Sequence, residues 1–170
     1  MTCAAILLID PKYPHNLGAI VRTCAAFGVR DVRYTGNRID RRLSELSRLP
    51  REERMRGYRL VDWRRTDRPF DDFPMLTPVA IEVRENSESL PAFEHPADAL
   101  YVFGPEDGSL TNVTLRHCHR FVAIPTRHCL NLSIASAPFF MTGKRSSVLV
   151  RPIDGKAKVS GVPRSSVRSA

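Results

Sequence analysis

The stretch AAILLIDPKYPHNLGAIVRTCAAFGVRDVRYT, residues 4–35, decides the fold. It opens with a continuous apolar run, Ala4 to Ile9, of the kind that fills a parallel strand buried on both faces. Asp10 and Pro11 stop the run, and a proline-containing turn leads into residues 15–29. There Leu17, Ile20, Val21, Cys24, Ala25 and Gly28 recur at helical spacing. Asn16 stands just ahead of the first of these positions and is read as the helix N-cap. Asp31 to Thr35 follows as a second strand. Strand, helix and strand in so short a span make a β-α-β unit, which requires a parallel sheet.

The same rhythm continues. Asp40 to Leu49 reads as a polar-faced helix capped by Asp40. Arg59–Trp63, Pro78–Val83, Leu100–Phe103 and Phe121–Ile124 read as strands, with a helix in Ser109–Cys118 between the last two. The expected fold is therefore α/β, a single domain with a largely parallel sheet flanked by helices. Internal repeats and coiled-coil heptads are absent from the sequence. Residues 1–143 are read as the domain. Residues 144–170 are poor in large apolar side chains and rich in Ser, Gly, Pro and Lys/Arg, the composition of a disordered tail.

A chain of 170 residues with 42% apolar content is long enough for one real core. Ala4–Ile9 is too short to span a bilayer and lacks the flanks of a signal peptide, so a soluble, cytoplasmic protein is expected. Cys3, Cys24, Cys118 and Cys129 show no disulfide-style spacing and read as reduced thiols. The net charge of +8 is uneven: residues 144–170 carry +6 of it. Within the remainder, Arg38 to Arg68 holds eleven arginines against six acids, beside Tyr58 and Trp63. Such a run suits phosphate contact with base stacking, or equally a solvated, salt-bridged face.

Ligands of parallel α/β sheets bind where the carboxyl ends of strands become loops. Three loops qualify. In the first, Arg22 shares a helix face with the small residues Ala19 and Ala26, which leaves room for another backbone or subunit. In the second, YVFGPEDGSL, a buried strand runs into Gly104, Glu106, Asp107 and Gly108. It matches no phosphate-binding glycine pattern, and two carboxylates at a helix start would repel a phosphate. A cationic or neutral ligand suits it better, and S-adenosylmethionine, with a sulfonium and no phosphate, is one; a plain tight turn with an acidic first helical turn accounts for it as well. In the third, FVAIPTRHCLNLSIASA, Asn131 and Ser133 are helix caps or site groups. His117, Cys118, His119, His128 and Cys129 lack zinc-type spacing, so no metal is expected.

In this order, the three segments resemble the SpoU/TrmH branch of the SPOUT RNA methyltransferases. Asn16, Gly18 and Arg22 meet an N-x-G-x-x-x-R pattern. Phe103, Gly104, Glu106, Gly108 and Leu110 approximate the glycine loop. Ile124, Pro125, Leu130, Asn131 and Ser133 meet the third motif. The resemblance covers residues 4 to about 137, without the amino-terminal RNA-binding extension of many relatives. It implies a trefoil-knotted domain that forms a homodimer, binds S-adenosylmethionine in the knot and methylates a ribose 2′-hydroxyl of tRNA or rRNA. Arg22 would activate that hydroxyl across the dimer interface, with Asn16, Glu106 and Asn131 completing the catalytic set. Phe103, Gly104, Gly108, Ile124, Leu130, Asn131 and Ser133 would hold the cofactor. A non-catalytic or inactive RNA-binding relative is the alternative; a nucleotide-binding flavodoxin-like protein would need the phosphate loop that is missing here.

Two departures stand out. Cys129 occupies a position usually held by serine. After Ala137 the family continues with an apolar helix, where this chain reads PFFMTGKRSSVLVRP and begins with a helix-breaking proline. Read one nucleotide earlier, the codons for Pro-Phe-Phe-Met-Thr-Gly-Lys permit Thr-Val-Leu-Tyr-Asp-Arg-Gln, a sequence of the family's kind. The chain from about Pro138 is therefore expected to be frameshifted relative to an ancestral or correct reading frame.

Overall fold

A computed structural model describes residues 4–45 and 59–142. Residues 4–8 form β1 (Ala4–Leu8), whose side chains alternate between two cores: Ile6 and Leu8 enter one, Ala5 and Leu7 the other. Both cores are apolar, which is why the strand carries no polar residue. The chain then builds α1 (Pro14–Phe27), β2 (Asp31–Tyr34), α2 (Arg38–Glu45), β3 (Asp62–Arg65), β4 (Thr77–Ile81), β5 (Glu88–Ser89), β6 (Ala99–Phe103), α3 (Asn112–Leu115), β7 (Arg120–Ala123) and α4 (Leu132–Thr142). Among the described residues the strands form one sheet in the order β3-β2-β1-β6-β4-β7-β5, and every pairing is parallel. The α/β class read from the sequence is the observed one.

The elements differ in detail from their sequence reading. The strand expected at Arg59–Trp63 is displaced to Asp62–Arg65, and Pro78–Val83 becomes Thr77–Ile81. The helix expected in Ser109–Cys118 shrinks to α3, capped by Thr111, whose hydroxyl accepts from the Thr114 N–H. Asp40 is not a cap: α2 starts at Arg38, and the Asp40 carboxylate instead takes the Tyr34 hydroxyl at 2.7 Å. The last residues of that expected helix, 46–49, lie outside the described residues, as do Tyr58 and the tail from 144.

Pro138 does not break the last helix. It lies within α4, and the helix runs on to Thr142. The missing N–H removes one helical bond, but Phe139 and Phe140, which follow it, are almost completely buried. Phe139 packs its ring against Tyr101 and Phe103, and Phe140 against Phe27 of α1. Burial of two phenyl rings is worth more than one backbone bond. α1, α2 and α4 cover one sheet face, with α3 and the Phe70–Leu76 segment on the other.

Strand order reverses beside β1: β2 and β3 lie outward on one side, β6 and β4 on the other. Such a switch point leaves a crevice at the carboxyl ends of the strands.

Candidate functional site

A cleft of about 590 Å³ opens at that crevice. Phe103 and the Gly104–Gly108 loop leave β6 on one side; Ile124, Cys129, Leu130 and Asn131 leave β7 on the other; Tyr13, His15 and Asn16 close it from the start of α1. The three loops singled out in the sequence thus meet at one place.

The reason is a chain of hydrogen bonds. Asn16 is the third residue of α1 and not its N-cap, because Pro14, with its fixed φ and no N–H to satisfy, opens the helix earlier at Tyr13. With its side chain freed from capping and 1% exposed, the Asn16 amide donates to Glu106 Oε1 at 2.7 Å. Its own oxygen accepts from Asn131 Nδ2 at 3.0 Å. Glu106 also takes the backbone N–H groups of Lys12 at 2.7 Å and Tyr13 at 3.4 Å. Asn131 caps α4: its Oδ1 accepts from the Ser133 N–H at 2.9 Å and hydroxyl at 2.6 Å. Glu106, Asn16, Asn131 and Ser133 form one connected line across three loops.

Asp107, the second acid of the glycine loop, faces outward. Arg38 grips it with two 2.9 Å hydrogen bonds and Lys12 with one of 3.1 Å. Those two cations hold its carboxyl below the usual carboxylate range. Arg38 also donates to Asp10, tying the loop after β2 to the loop after β1. Gly36 completes that tie. Its φ is +74°, and a Cβ there would overlap the Asp10 carboxylate.

The loop's two carboxylates are therefore engaged by the protein. The acid that sequence reasoning missed is Glu82, which lines the opposite wall. Its Oε2 accepts from the Leu110 N–H at 2.9 Å and so holds the end of the glycine loop. An acid directly after the apolar run of β4 was the available signal. Gly104 lies so close to Leu110 that a Cβ would sit 3.3 Å from its nitrogen, which explains a glycine at the strand exit.

Phe103, Gly104, Gly108, Ile124, Leu130 and Asn131 all line the cleft, and so does Cys129. Ser133 stands behind them on Asn131. Arg22 is not brought to this site. It is exposed on α1, farther along the helix, and is not among the lining residues. His117 stacks on Phe70, while Cys118 is buried with its thiol toward the Thr114 carbonyl. Cys118 and Phe70 belong to the second core, while His117 is exposed, and among the described residues no group of three or more His, Cys, Asp or Glu is placed to hold a metal ion.

The model of the SpoU rRNA methylase family matches residues 4–140. No curated protein matches the chain. Among solved structures, the A. aeolicus TrmH/SpoU tRNA modifying enzyme is 19% identical with a TM-score of 0.68, over 83% of this chain and 73% of that one. A structure described as giving insight into the 2-OH methylation of C/U34 on tRNA is 22% identical, with a TM-score of 0.68, over 85% of this chain and 95% of that one. The SpoU methyltransferase AviRb from Streptomyces viridochromogenes, in complex with AdoMet, is 18% identical with a TM-score of 0.61, over 82% of this chain and 58% of that one.

Proposed function

The chain belongs to the SpoU rRNA methylase family, and on that premise we propose that it transfers a methyl group from S-adenosylmethionine to a ribose 2′-hydroxyl of tRNA or rRNA. The observation that carries the reading is the line Glu106–Asn16–Asn131, which draws the three motif loops around one cleft. The cleft suits the cofactor. Phe103, Ile81, Val122, Ile124 and Leu130 supply apolar walls, and Glu82 and Glu106 supply carboxylates in place of phosphate-binding groups. Backbone groups around Phe103, Gly104, Ile124 and Leu130 would hold the adenosine and methionine parts, with Gly108, Asn131 and Ser133 shaping the pocket. When bound, S-adenosylmethionine supplies an electrophilic methyl on a cationic sulfur.

A ribose hydroxyl is a poor nucleophile and needs a base or a well-placed cation and phosphate. Arg22 is the candidate. Its position away from the cleft of its own chain fits delivery to the cleft of a second copy. Beside it on α1 lie the small residues Ala19 and Ala26, and α4 presents Ile134 and Met141, 60% and 68% exposed. We take these faces as the homodimer contact. Asn16, Glu106 and Asn131 act as positioning groups that keep the loops in register. One domain over residues 1–143, followed by a basic tail, and a cytoplasmic location complete the proposal. No helix among the described residues is long and apolar enough to cross a membrane.

Nucleoside mass spectrometry of RNA from cells with and without the gene tests the reading: one 2′-O-methylated nucleoside should disappear. Calorimetric titration with S-adenosylmethionine supplies the second arm. A folded protein that binds no cofactor would favour the non-catalytic alternative.

A further inference from the structure

At the mouth of the cleft the rings of Tyr13 and His15 stack, with centroids 5.3 Å apart and planes inclined by 27°. Neither ring belongs to either core. Arg42, from α2, places its guanidinium carbon 5.2 Å from the Tyr13 ring centroid, and Lys12 Nζ lies at 5.3 Å. Lys12 is engaged by Asp107. Arg42 is exposed and forms no ion pair with another described residue. His15 is exposed too, so the imidazole face turned away from Tyr13 is open.

An aromatic pair backed by a cation and open on its outer face is the arrangement that takes a nucleobase. We propose that His15, Tyr13 and Arg42 form the subsite for an unpaired RNA nucleotide, its base stacked on His15 and an adjoining phosphate paired with Arg42. This rests on the reading of the chain as an RNA methyltransferase and assigns that site's substrate contact. Inside a duplex both faces of a base are covered by its neighbours, so the platform selects nucleotides in loops and single strands.

The test uses the full chain and a short unstructured RNA oligonucleotide carrying 2-aminopurine, whose emission is quenched on stacking. Wild type should bind it and quench the emission, and should bind the same oligonucleotide poorly once it is annealed to its complement. His15→Ala should weaken binding about 10-fold and abolish the quenching, while His15→Phe restores both. Arg42→Ala should reduce the salt slope of binding by about one. S-adenosylmethionine affinity, measured alongside, should stay at the wild-type value in Arg42→Ala, whose side chain does not line the cleft. Unchanged quenching in His15→Ala would overturn the subsite, as would equal affinity for the duplex. RNA that is bound and stacked but never methylated would instead defeat the enzymatic reading and leave the subsite standing. If wild type binds no RNA, both fall.

Discussion

The amide of Asn131 donates to the amide oxygen of Asn16 across 3.0 Å, joining positions 115 residues apart in the chain. Because the other end of the Asn16 amide is held by Glu106, one side chain locks two loops and a helix start. Removing it takes from Glu106 its side-chain donor, leaving the Lys12 and Tyr13 N–H groups, and takes from the Asn131 amide N–H this acceptor. Asn16→Ala should destabilise the fold by about 1–3 kcal/mol. In a double-mutant cycle with Asn131→Ala, urea denaturation should show a coupling of about 0.5–3 kcal/mol. Additive single effects would show that the bond is not maintained in solution.

On the proposed mechanism, Arg22 is the position at which catalysis should separate from cofactor binding. Arg22→Ala should lose methyl transfer while binding S-adenosylmethionine as wild type does. Since the residue does not line the cleft of its own chain, a mixture of Arg22→Ala with a second variant disabled in the cofactor cleft should recover activity in mixed dimers. No recovery would remove the proposed route across the dimer.

Gly36 occupies a conformation that only glycine adopts cheaply, and a side chain there meets Asp10. Gly36→Ala should lower stability by more than about 1 kcal/mol. It should also loosen the Asp10–Arg38–Asp107 tie. The Asp107 carboxyl, held low first by Arg38 and then by Lys12, should then titrate closer to its ordinary value, as NMR would detect.

His95 gives stability a pH dependence. Its Nδ1 lies 2.7 Å from the Tyr101 hydroxyl. Burial, and then the charge of Arg120, hold its pKa below the ordinary 6.5. The unfolded chain therefore takes up a proton at a pH where the folded protein does not. The contribution of His95 is complete above pH 6.5 and is lost as the pH falls through the depressed folded-state value. Tm should decline on acidification over that window, less steeply in His95→Gln. An identical slope in the variant would mean that other groups carry the effect.

Phe139 anchors α4 against Tyr101 and Phe103. Phe139→Ala should cost about 3–5 kcal/mol and, by loosening α4, weaken cofactor binding through Asn131. The reading frame bears on the same site. The shifted frame places valine and leucine at positions 139 and 140, so both frames offer apolar side chains there. We hold to the proposal that the sequence from about Pro138 is out of frame with its ancestor; resequencing that finds the alternative frame closed by a stop codon would end it.

Much of this was legible in the residues alone. The unbroken apolar runs of β1 and β6 announced strands buried on both faces, and the motif residues marked the loops that surround the cleft. Short elements were misplaced where a tertiary partner outweighed local preference. β3 begins at Asp62 and runs on to Arg65 because its register is set by pairing with Asp31–Tyr34 of β2, and Arg33 fixes its first residue by donating to the Asp62 carbonyl at 2.6 Å and carboxylate at 2.8 Å. Pro138 stays helical because two phenylalanines beyond it are buried. Asn16 and Asp40 looked like caps because capping is their most frequent local use, and local pattern carries no information about a carboxylate or tyrosine that arrives from elsewhere.

The sequence by itself determined the parallel α/β layer and marked the three strand-end loops that line the candidate site, since hydrophobic period and chain direction are properties of contiguous residues. Only the tertiary structure decided that Asn16 is a connector, that the acids of the glycine loop are engaged by Asn16, Lys12 and Arg38, that Glu82 completes the wall, and that Arg22 stands apart from the cleft of its own chain. Those facts depend on hydrogen bonds and ion pairs between residues far apart in sequence, which exist only once the sheet has set the distances.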